Sequence, residues 1–196
     1  MALPQEKSYT WADLRSWDGP ERYELIDGVP RLLAAPATVH QRISGRLYRQ
    51  LANYLDGKKC EAFYAPFDVR LFEQDGDCPE DIDVVLQPDL MVVCDPKKID
   101  AAGCKGAPDF VIEVLSQSSM RHDLLTKRNL YQQAGVREYW TVDPIYQVIQ
   151  VNILQNGQYT LKTIAGAGDQ LAVEALPGCV IDLSAVFPEP DLSINS

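Results

Sequence analysis

Glu113 is an acidic residue inside a run that is otherwise typical of a buried β-strand. The run covers residues 110–115, with the sequence Phe-Val-Ile-Glu-Val-Leu, and Pro108-Asp109 precedes it. Apolar side chains fall on both faces of this run, which favours a central strand covered on each side. An ionised carboxylate there costs several kcal/mol unless it is compensated. Glu113 therefore requires a cation, a metal ion or hydrogen bonds.

Two Pro-Asp pairs offer a second carboxylate. Asp109 lies four residues before Glu113, so the two side chains would point the same way but stand about 13 Å apart along a strand. Ligands of one Mg²⁺ ion must each approach it to about 2 Å, which excludes Asp109 and leaves it the role of starting the strand. Asp89 opens a different apolar run, Leu90 to Cys94. Because neighbouring strands lie about 5 Å apart, Asp89 could face Glu113 directly.

This pair of carboxylates predicts a metal site. With Mg²⁺ bound, Asp89 and Glu113 both stay ionised, and the metal could polarise a phosphate oxygen and activate a water molecule. Without a cation, like-charge repulsion would raise one of the two pKa values. The alternative is that both residues are strand-end acids exposed to solvent.

Lys127 adds a cation on the helix that follows. Asp123 and Tyr131 lie four residues to either side of it, so the three share one helical face. Lys127 could position the attacking water or stabilise the negative charge that develops on a phosphate. The alternative is a solvated lysine paired with Asp123.

Other candidates are less specific. Glu24 lies beside Leu25 and Ile26, and it could supply a further carboxylate or point outward from an edge strand. His40 could contact a phosphate or could be a capping or surface histidine. A basic group could also contact phosphates, although exposed helix faces commonly carry such residues; its members are Arg42, Arg46, Arg49, Arg121, His122 and Arg128.

The elements that must position these residues follow from patterns along the chain. Residues 8–17 predict a short helix capped by Ser8 or Thr10. Hairpins are predicted around Asp27-Gly28 and Asn156-Gly157, and apolar spacing predicts a helix over 39–55. The remaining predictions are a helix over 123–134 that ends at Gly135, and strands over 63–64, 67–72, 90–94, 110–115 and 138–142.

Only residues 119–137 have the composition of a crossover helix, so we predict an α+β fold with a central mixed sheet flanked by helices. Residues 1–196 predict a single domain, with a core over about 20–186 and a flexible tail over 187–196.

The bulk composition restricts the partners. The net charge of −10 argues against a strong nonspecific grip on nucleic acid, although much of it falls in the predicted solvated loop 73–83. No apolar run is long enough for a membrane span, and the first residues lack the apolar core of a signal peptide. The five cysteines lack the close spacing of zinc ligands, so we predict free thiols and a cytoplasmic protein.

Taken together, these segments resemble the Uma2 family of endonucleases, within the PD-(D/E)XK nuclease superfamily. The resemblance covers most of residues 20–145, and the order and spacing of its segments are more specific than any one of them. The matching segments are 23–28, His40-Gln41, 88–90, 108–116, Asp123 with Lys127 and Tyr131, and 134–140.

The resemblance implies a restriction endonuclease-like core, dependence on Mg²⁺ (with Mn²⁺ as an alternative), DNA as substrate and assembly as a homodimer. It implies that Asp89, Glu113 and the backbone carbonyl of Val114 hold the metal, and that Glu24 is an auxiliary acid. The superfamily motif has lysine two residues after the glutamate, where this chain has Leu115. The resemblance moves that role to Lys127. An inactive interaction module with the same fold is the competing hypothesis, favoured by the acidic charge.

Overall fold

The computed structural model describes residues 8–187. Within this range it contains three α-helices, and a π-helical turn, His122–Lys127, runs directly into the third. The helices are α1 (Trp11–Arg15), α2 (Thr38–Leu55) and α3 (Arg128–Ala134). The strands are β1 (Tyr23–Ile26), β2 (Val29–Leu32), β3 (Glu61–Tyr64), β4 (Val69–Arg70), β5 (Val85–Leu86), β6 (Leu90–Val93), β7 (Ile99–Asp100), β8 (Gly103–Lys105), β9 (Phe110–Val114), β10 (Glu138–Asp143), β11 (Val148–Gln155), β12 (Gln158–Gly166), β13 (Gln170–Ala172) and β14 (Val180–Asp182).

The strands form two six-stranded sheets and one small pair. One sheet has the order β2-β1-β5-β4-β8-β7, the other has the order β12-β11-β10-β9-β6-β3, and β13 pairs with β14. Most pairs are antiparallel, but β9 is parallel to β10 and β4 is parallel to β8. The predicted mixed fold of α and β elements is therefore confirmed, with its strands divided between two large sheets.

The second sheet holds the main core. Helix α2 packs on it through Ile43, Leu47, Leu51 and Leu55, the stripe that the apolar spacing predicts. On the other face, α3 buries Leu130 and Tyr131 in a second apolar cluster. Gly135 ends α3 with a φ of 87°, a left-handed conformation that glycine adopts without a steric cost. Strand β9 is thus covered on both faces, as its sequence indicates.

Both ends of the described chain differ from the prediction. Helix α1 is shorter than the predicted range 8–17, and Thr10 is its cap: its side chain accepts from the Asp13 N–H. Phe187 was assigned to the flexible tail but is buried in the main core. The rest of that predicted tail, 188–196, lies outside the described residues.

The prediction of five free thiols is wrong for two cysteines. Cys60 and Cys94 form a disulfide, because the register of β3 on β6, in which Glu61 pairs with Val93, brings them side by side. Their 34-residue separation in sequence carries no signal of this contact. Cys78, Cys104 and Cys179 remain free. Among residues 8–187, no helix has the length and apolar character that a membrane span requires.

Glu138 is a buried acid in β10 with both oxygens hydrogen-bonded. The Trp140 indole N–H donates to Oε1 and the Ala175 N–H donates to Oε2, each at 2.7 Å. Burial raises the pKa of Glu138 from 4.5 to about 7, although these two donors act in the opposite direction. The folded state therefore binds more protons than the unfolded state between these two values, so the free energy of unfolding falls as the pH rises through this window.

We expect this group to remove about 3 kcal/mol of stability between about pH 4.5 and 7.5. The Glu138→Gln variant lacks the titrating carboxyl, so its stability should depend less steeply on pH. Urea denaturation of both proteins across this range measures the difference, in which the contributions of the other acids cancel. Parallel curves for the two proteins would contradict the assignment.

Candidate active site

Glu113 lies in β9, between β6 and β10 in the second sheet. Its side chain is almost completely buried. The Lys127 ammonium and the Tyr131 hydroxyl both donate to its Oε1 atom, each at 2.9 Å. The buried carboxylate is therefore compensated by a cation and a hydrogen bond, and the alternative of a solvent-exposed acid is excluded for Glu113.

Asp89 immediately precedes β6 and lies beside Glu113. The antiparallel register of β6 on β9 pairs Leu90 with Ile112 and so brings the two acids to the same edge. Asp89 Oδ2 accepts the Val114 N–H at 2.7 Å, and the Asp89 N–H is 3.4 Å from Glu113 Oε2. Asp89 and Glu113 are thus in contact, and both line the same pocket.

Glu24 reaches the same cluster from the other sheet. It is fully buried in β1, so it does not point outward from an edge strand. Its Oε1 accepts the Lys127 ammonium at 2.7 Å and the Gln87 N–H at 3.0 Å. Its Oε2 is 3.3 Å from His122 Nε2. The site therefore joins the two large sheets through a single lysine.

Lys127 is the centre of this network. It lies at the end of the π-helical turn, four residues after Asp123 and four before Tyr131, and its Nζ atom is 3.8 Å from Asp123 Oδ1. Its side chain is buried, which excludes the alternative of a solvated lysine. Burial alone would lower the pKa of Lys127, but Glu113, Glu24 and Asp123 raise it well above its ordinary value. Lys127 is therefore a fixed positive charge.

The carboxylates respond differently to this one cation. Burial acts to raise the pKa of Glu24, but the Lys127 ammonium and hydrogen bonds from His122, Lys127 and Gln87 hold it at about 2. Burial also raises the pKa of Glu113, and Lys127 fails to offset that because Asp89, Asp123 and Glu24 add to the increase. Three carboxyl groups, those of Glu24, Glu113 and Asp123, share the single Lys127 ammonium, an environment suited to a further cation.

His40 lies in the first turn of α2 and borders the same site. Its Nε2 atom is 3.0 Å from Asp89 Oδ2, and its Nδ1 atom is 3.5 Å from the Ser44 hydroxyl. The ring thus contacts the same Asp89 oxygen that accepts the Val114 N–H. His40 also lines the pocket above Asp89 and Glu113, where it could contact a phosphate.

A pocket of about 770 Å³ opens above these residues. Its floor includes Glu24, Asp89, Glu113 and Lys127. Its walls are the hairpin and the segment that leads into α2, residues 31–37, and the loop 115–120 that follows β9. A substrate group that enters this pocket would meet the carboxylates and the lysine together.

The predicted basic group lies largely elsewhere. Arg46 donates to the Val186 carbonyl and Arg128 to the Tyr159 carbonyl, each at 3.1 Å. Arg42 and Arg121 are exposed. Among the described residues, none of these four arginines lines the pocket. Their contact with phosphate stays a prediction.

The donor set fits a hard divalent cation. Among residues 8–187, no three His, Cys, Asp or Glu side chains form a ready-made metal cluster. Mg²⁺ commonly uses only one or two carboxylates and completes its shell with water and substrate phosphates. Asp89 and Glu113 supply such a pair, because Glu113 Oε2 has only a long contact to the Asp89 N–H.

Sequence reasoning missed several contacts in this site. His122 was grouped with possible phosphate contacts, but it is buried against Glu24. The backbone of Gln87 also holds Glu24, and a backbone donor leaves no signal in the sequence. Arg22 and Arg31 line the pocket and were not singled out.

Buried acids and a lysine at the rim of a mixed sheet, below an open pocket, form the candidate active site of a protein with a mixed fold of α and β elements. The chain belongs to the Uma2 family, described as "Putative restriction endonuclease", whose model matches residues 11–184. A solved structure described as a putative nuclease belonging to DUF820, from Anabaena variabilis ATCC 29413, has the same fold. It aligns with a TM-score of 0.70 at 16% identity, over 91% of this chain and 97% of that one.

A curated relative gives no further activity. The uncharacterized protein slr1290 of Synechocystis sp. (strain ATCC 27184 / PCC 6803 / Kazusa) is 30% identical over 112 residues, which are 57% of this chain and 54% of the relative. The match with this chain thus spans about half of the length of that protein.

Proposed function

We propose that this protein is a Mg²⁺-dependent endonuclease that hydrolyses phosphodiester bonds in DNA. One observation carries the proposal: the Glu113 carboxylate, the buried Lys127 ammonium that donates to it and the adjacent Asp89 all line one open pocket. Membership of the Uma2 family, described as "Putative restriction endonuclease", supports the same reaction class.

In this proposal, Asp89, Glu113 and the Val114 carbonyl would hold Mg²⁺, and Mn²⁺ could replace it. The bound metal would polarise a phosphate oxygen and lower the pKa of a water molecule. His40 and the Val114 N–H keep Asp89 oriented, while Tyr131 and Lys127 fix Glu113 Oε1. That arrangement would leave Glu113 Oε2 available as a ligand.

Lys127 acts in this proposal as a donor and not as a base, because its raised pKa keeps it protonated. A fixed ammonium beside the pocket can stabilise the charge that develops on a phosphate and can orient a water molecule. Glu24 is ionised at neutral pH and bonds Lys127 at 2.7 Å. It therefore serves as the auxiliary acid by holding Lys127 in place.

The test is cleavage of supercoiled plasmid, linear duplex, single-stranded DNA and RNA with Mg²⁺ or Mn²⁺. We expect DNA cleavage that EDTA abolishes and that the Glu113→Ala variant lacks. Titration calorimetry should detect Mn²⁺ binding that Asp89→Asn weakens. Cleavage that persists in Glu113→Ala, or in EDTA, would reject the site assignment.

A non-catalytic interaction module is the second candidate. The net charge of −10 favours it, since repulsion slows the encounter with DNA. Lys127 also has carboxylate neighbours on three sides, as a purely structural ion pair would. If the protein cleaves none of these nucleic acids and binds no metal in calorimetry, the result would favour the module.

The proposal includes a homodimer and a cytoplasmic location. The family resemblance supports the dimer, and a DNA substrate supports the location. Light scattering coupled to size-exclusion chromatography measures the first. The predicted cytoplasmic location was based on free thiols, and the Cys60–Cys94 bridge removes two of them. Cell fractionation is therefore the direct measurement of the location.

A further inference from the structure

The first hairpin presents two arginines on the same face as Glu24. Arg31 in β2 is directly opposite Glu24 in β1, so the two side chains leave the same side of the hairpin. Arg22 lies two residues before Glu24, and the pairing continues to it through the Leu33 N–H and the Arg22 carbonyl, at 2.8 Å. Alternation along a strand therefore directs Arg22 to that face as well.

Within residues 8–187, the two guanidinium groups make few contacts. Glu24 would be the natural partner of Arg31, but its oxygens already accept from Lys127 and Gln87 and contact His122. Arg31 instead has one contact of 3.5 Å, from Nη2 to the Ser118 carbonyl, at the limit of a hydrogen bond. Within residues 8–187, the Arg22 side chain makes no hydrogen bond or ion pair.

Both arginines line the pocket whose floor holds Asp89 and Glu113. The contact of Arg31 with Ser118 crosses from the hairpin wall to the loop 115–120 on the other wall. Arginine presents several N–H donors in a planar fork that matches the oxygens of a phosphate. A phosphate in this pocket can therefore replace the weak Ser118 contact with stronger, charge-assisted bonds.

We propose that Arg22 and Arg31 are the phosphate-binding wall of the pocket. In this arrangement the reacting phosphate of a DNA strand lies at Asp89 and Glu113. The two arginines bind the neighbouring phosphates of the same strand. This inference rests on the proposed function and deepens it, because it assigns backbone binding to the hairpin and not to the helix arginines. In a protein of net charge −10, two arginines without a carboxylate partner among residues 8–187 draw DNA to this point.

A different role for the two arginines is electrostatic only: they could simply offset the excess of carboxylates. Their removal would then tighten the binding of a divalent cation and leave DNA affinity unchanged. Loss of a nearby positive charge favours a divalent cation in either role, so the affinity for DNA is the quantity that separates the two.

The experiment is fluorescence anisotropy with a short labelled DNA duplex in EDTA, where cleavage does not interfere. The variants are Arg22→Gln, Arg31→Gln and the double change, with Arg42→Gln as the control. Arg42 is exposed on α2 and does not line the pocket. Circular dichroism checks that each variant folds, and Arg31→Lys keeps the charge without the fork.

We expect each pocket substitution to weaken binding about tenfold and to reduce the slope of log affinity against log salt by about 0.9. Arg31→Lys should retain most of the slope, and Arg42→Gln should change neither quantity. Equal effects of Arg42→Gln and Arg31→Gln overturn the inference, as does the absence of measurable binding by the unmodified protein. If the unmodified protein binds DNA through the two arginines but does not cleave it, the proposed function alone is overturned.

Discussion

Replacing Lys127 with methionine is expected to lower the free energy of unfolding by roughly 3–5 kcal/mol at about pH 8. In the unmodified protein, Lys127 Nζ lies 2.7 Å from Glu24 Oε1 and 2.9 Å from Glu113 Oε1. The substitution keeps the apolar stem but leaves both acids buried without their shared cation. Such carboxylates can avoid the cost only by taking up protons. The loss of stability should therefore be smaller at about pH 5.5.

Urea denaturation at both pH values measures this effect. Lys162→Met is the matched control, because Lys162 pairs with Glu174 at 3.0 Å on the surface, with both side chains about half exposed. An exposed pair of this kind contributes less than about 1 kcal/mol. Similar losses for Lys127→Met and Lys162→Met would mean that the buried network is not a major part of the stability.

Glu113→Gln is expected to abolish activity without a loss of stability. Glutamine keeps an oxygen to accept from Lys127 and Tyr131, and it removes a buried charge whose pKa is already raised well above the ordinary value. It also removes a proposed ligand of the metal. The loss of several kcal/mol of charge stabilisation corresponds to about 10³-fold in the rate of cleavage.

The measurement pairs plasmid cleavage with thermal denaturation. Asp109→Asn is the control, because Asp109 immediately precedes the strand that holds Glu113 but lies outside the pocket. Its carboxylate accepts from the Cys94 N–H and from Arg137. It should retain full activity. If Glu113→Gln unfolds the protein while Asp109→Asn does not, the acid is structural and the catalytic assignment fails.

The sequence was most informative where chemistry and periodicity agree. A charged residue in a strand buried on both faces must find compensation, and this constraint predicted that Glu113 would meet Asp89 and Lys127. The four-residue spacing of Asp123, Lys127 and Tyr131 likewise predicted one helical face, and all three lie around the same site. Whether Asp89 and Glu113 hold a metal stays a prediction.

Other features depend on partners that are distant in the chain. Strands β5, β7, β8, β13 and β14 have only two or three residues each, too few to show alternation, and they exist because neighbouring strands pair with them. The π-helical turn was predicted as ordinary helix, since the local sequence does not specify the extra residue in its turn. Predicted strand 67–72 shortens to Val69–Arg70.

The basic residues illustrate the same limit. Arg46 reads as an exposed helix residue, yet the chain near its C-terminal end covers it and supplies the Val186 carbonyl. Arg22 and Arg31 give no signal by themselves, because only the pairing of β1 with β2 brings them to the face of Glu24.

The bridge from Cys60 to Cys94 closes a covalent ring that includes the acidic segment 73–83 and Asp89. A protease that nicks the exposed part of that segment would leave the two halves of the polypeptide tethered to each other. Such a nicked molecule should migrate as one species on a non-reducing gel and as two fragments after treatment with a thiol. Asp89 and Glu113 would then stand on one fragment, with Glu24 on the other.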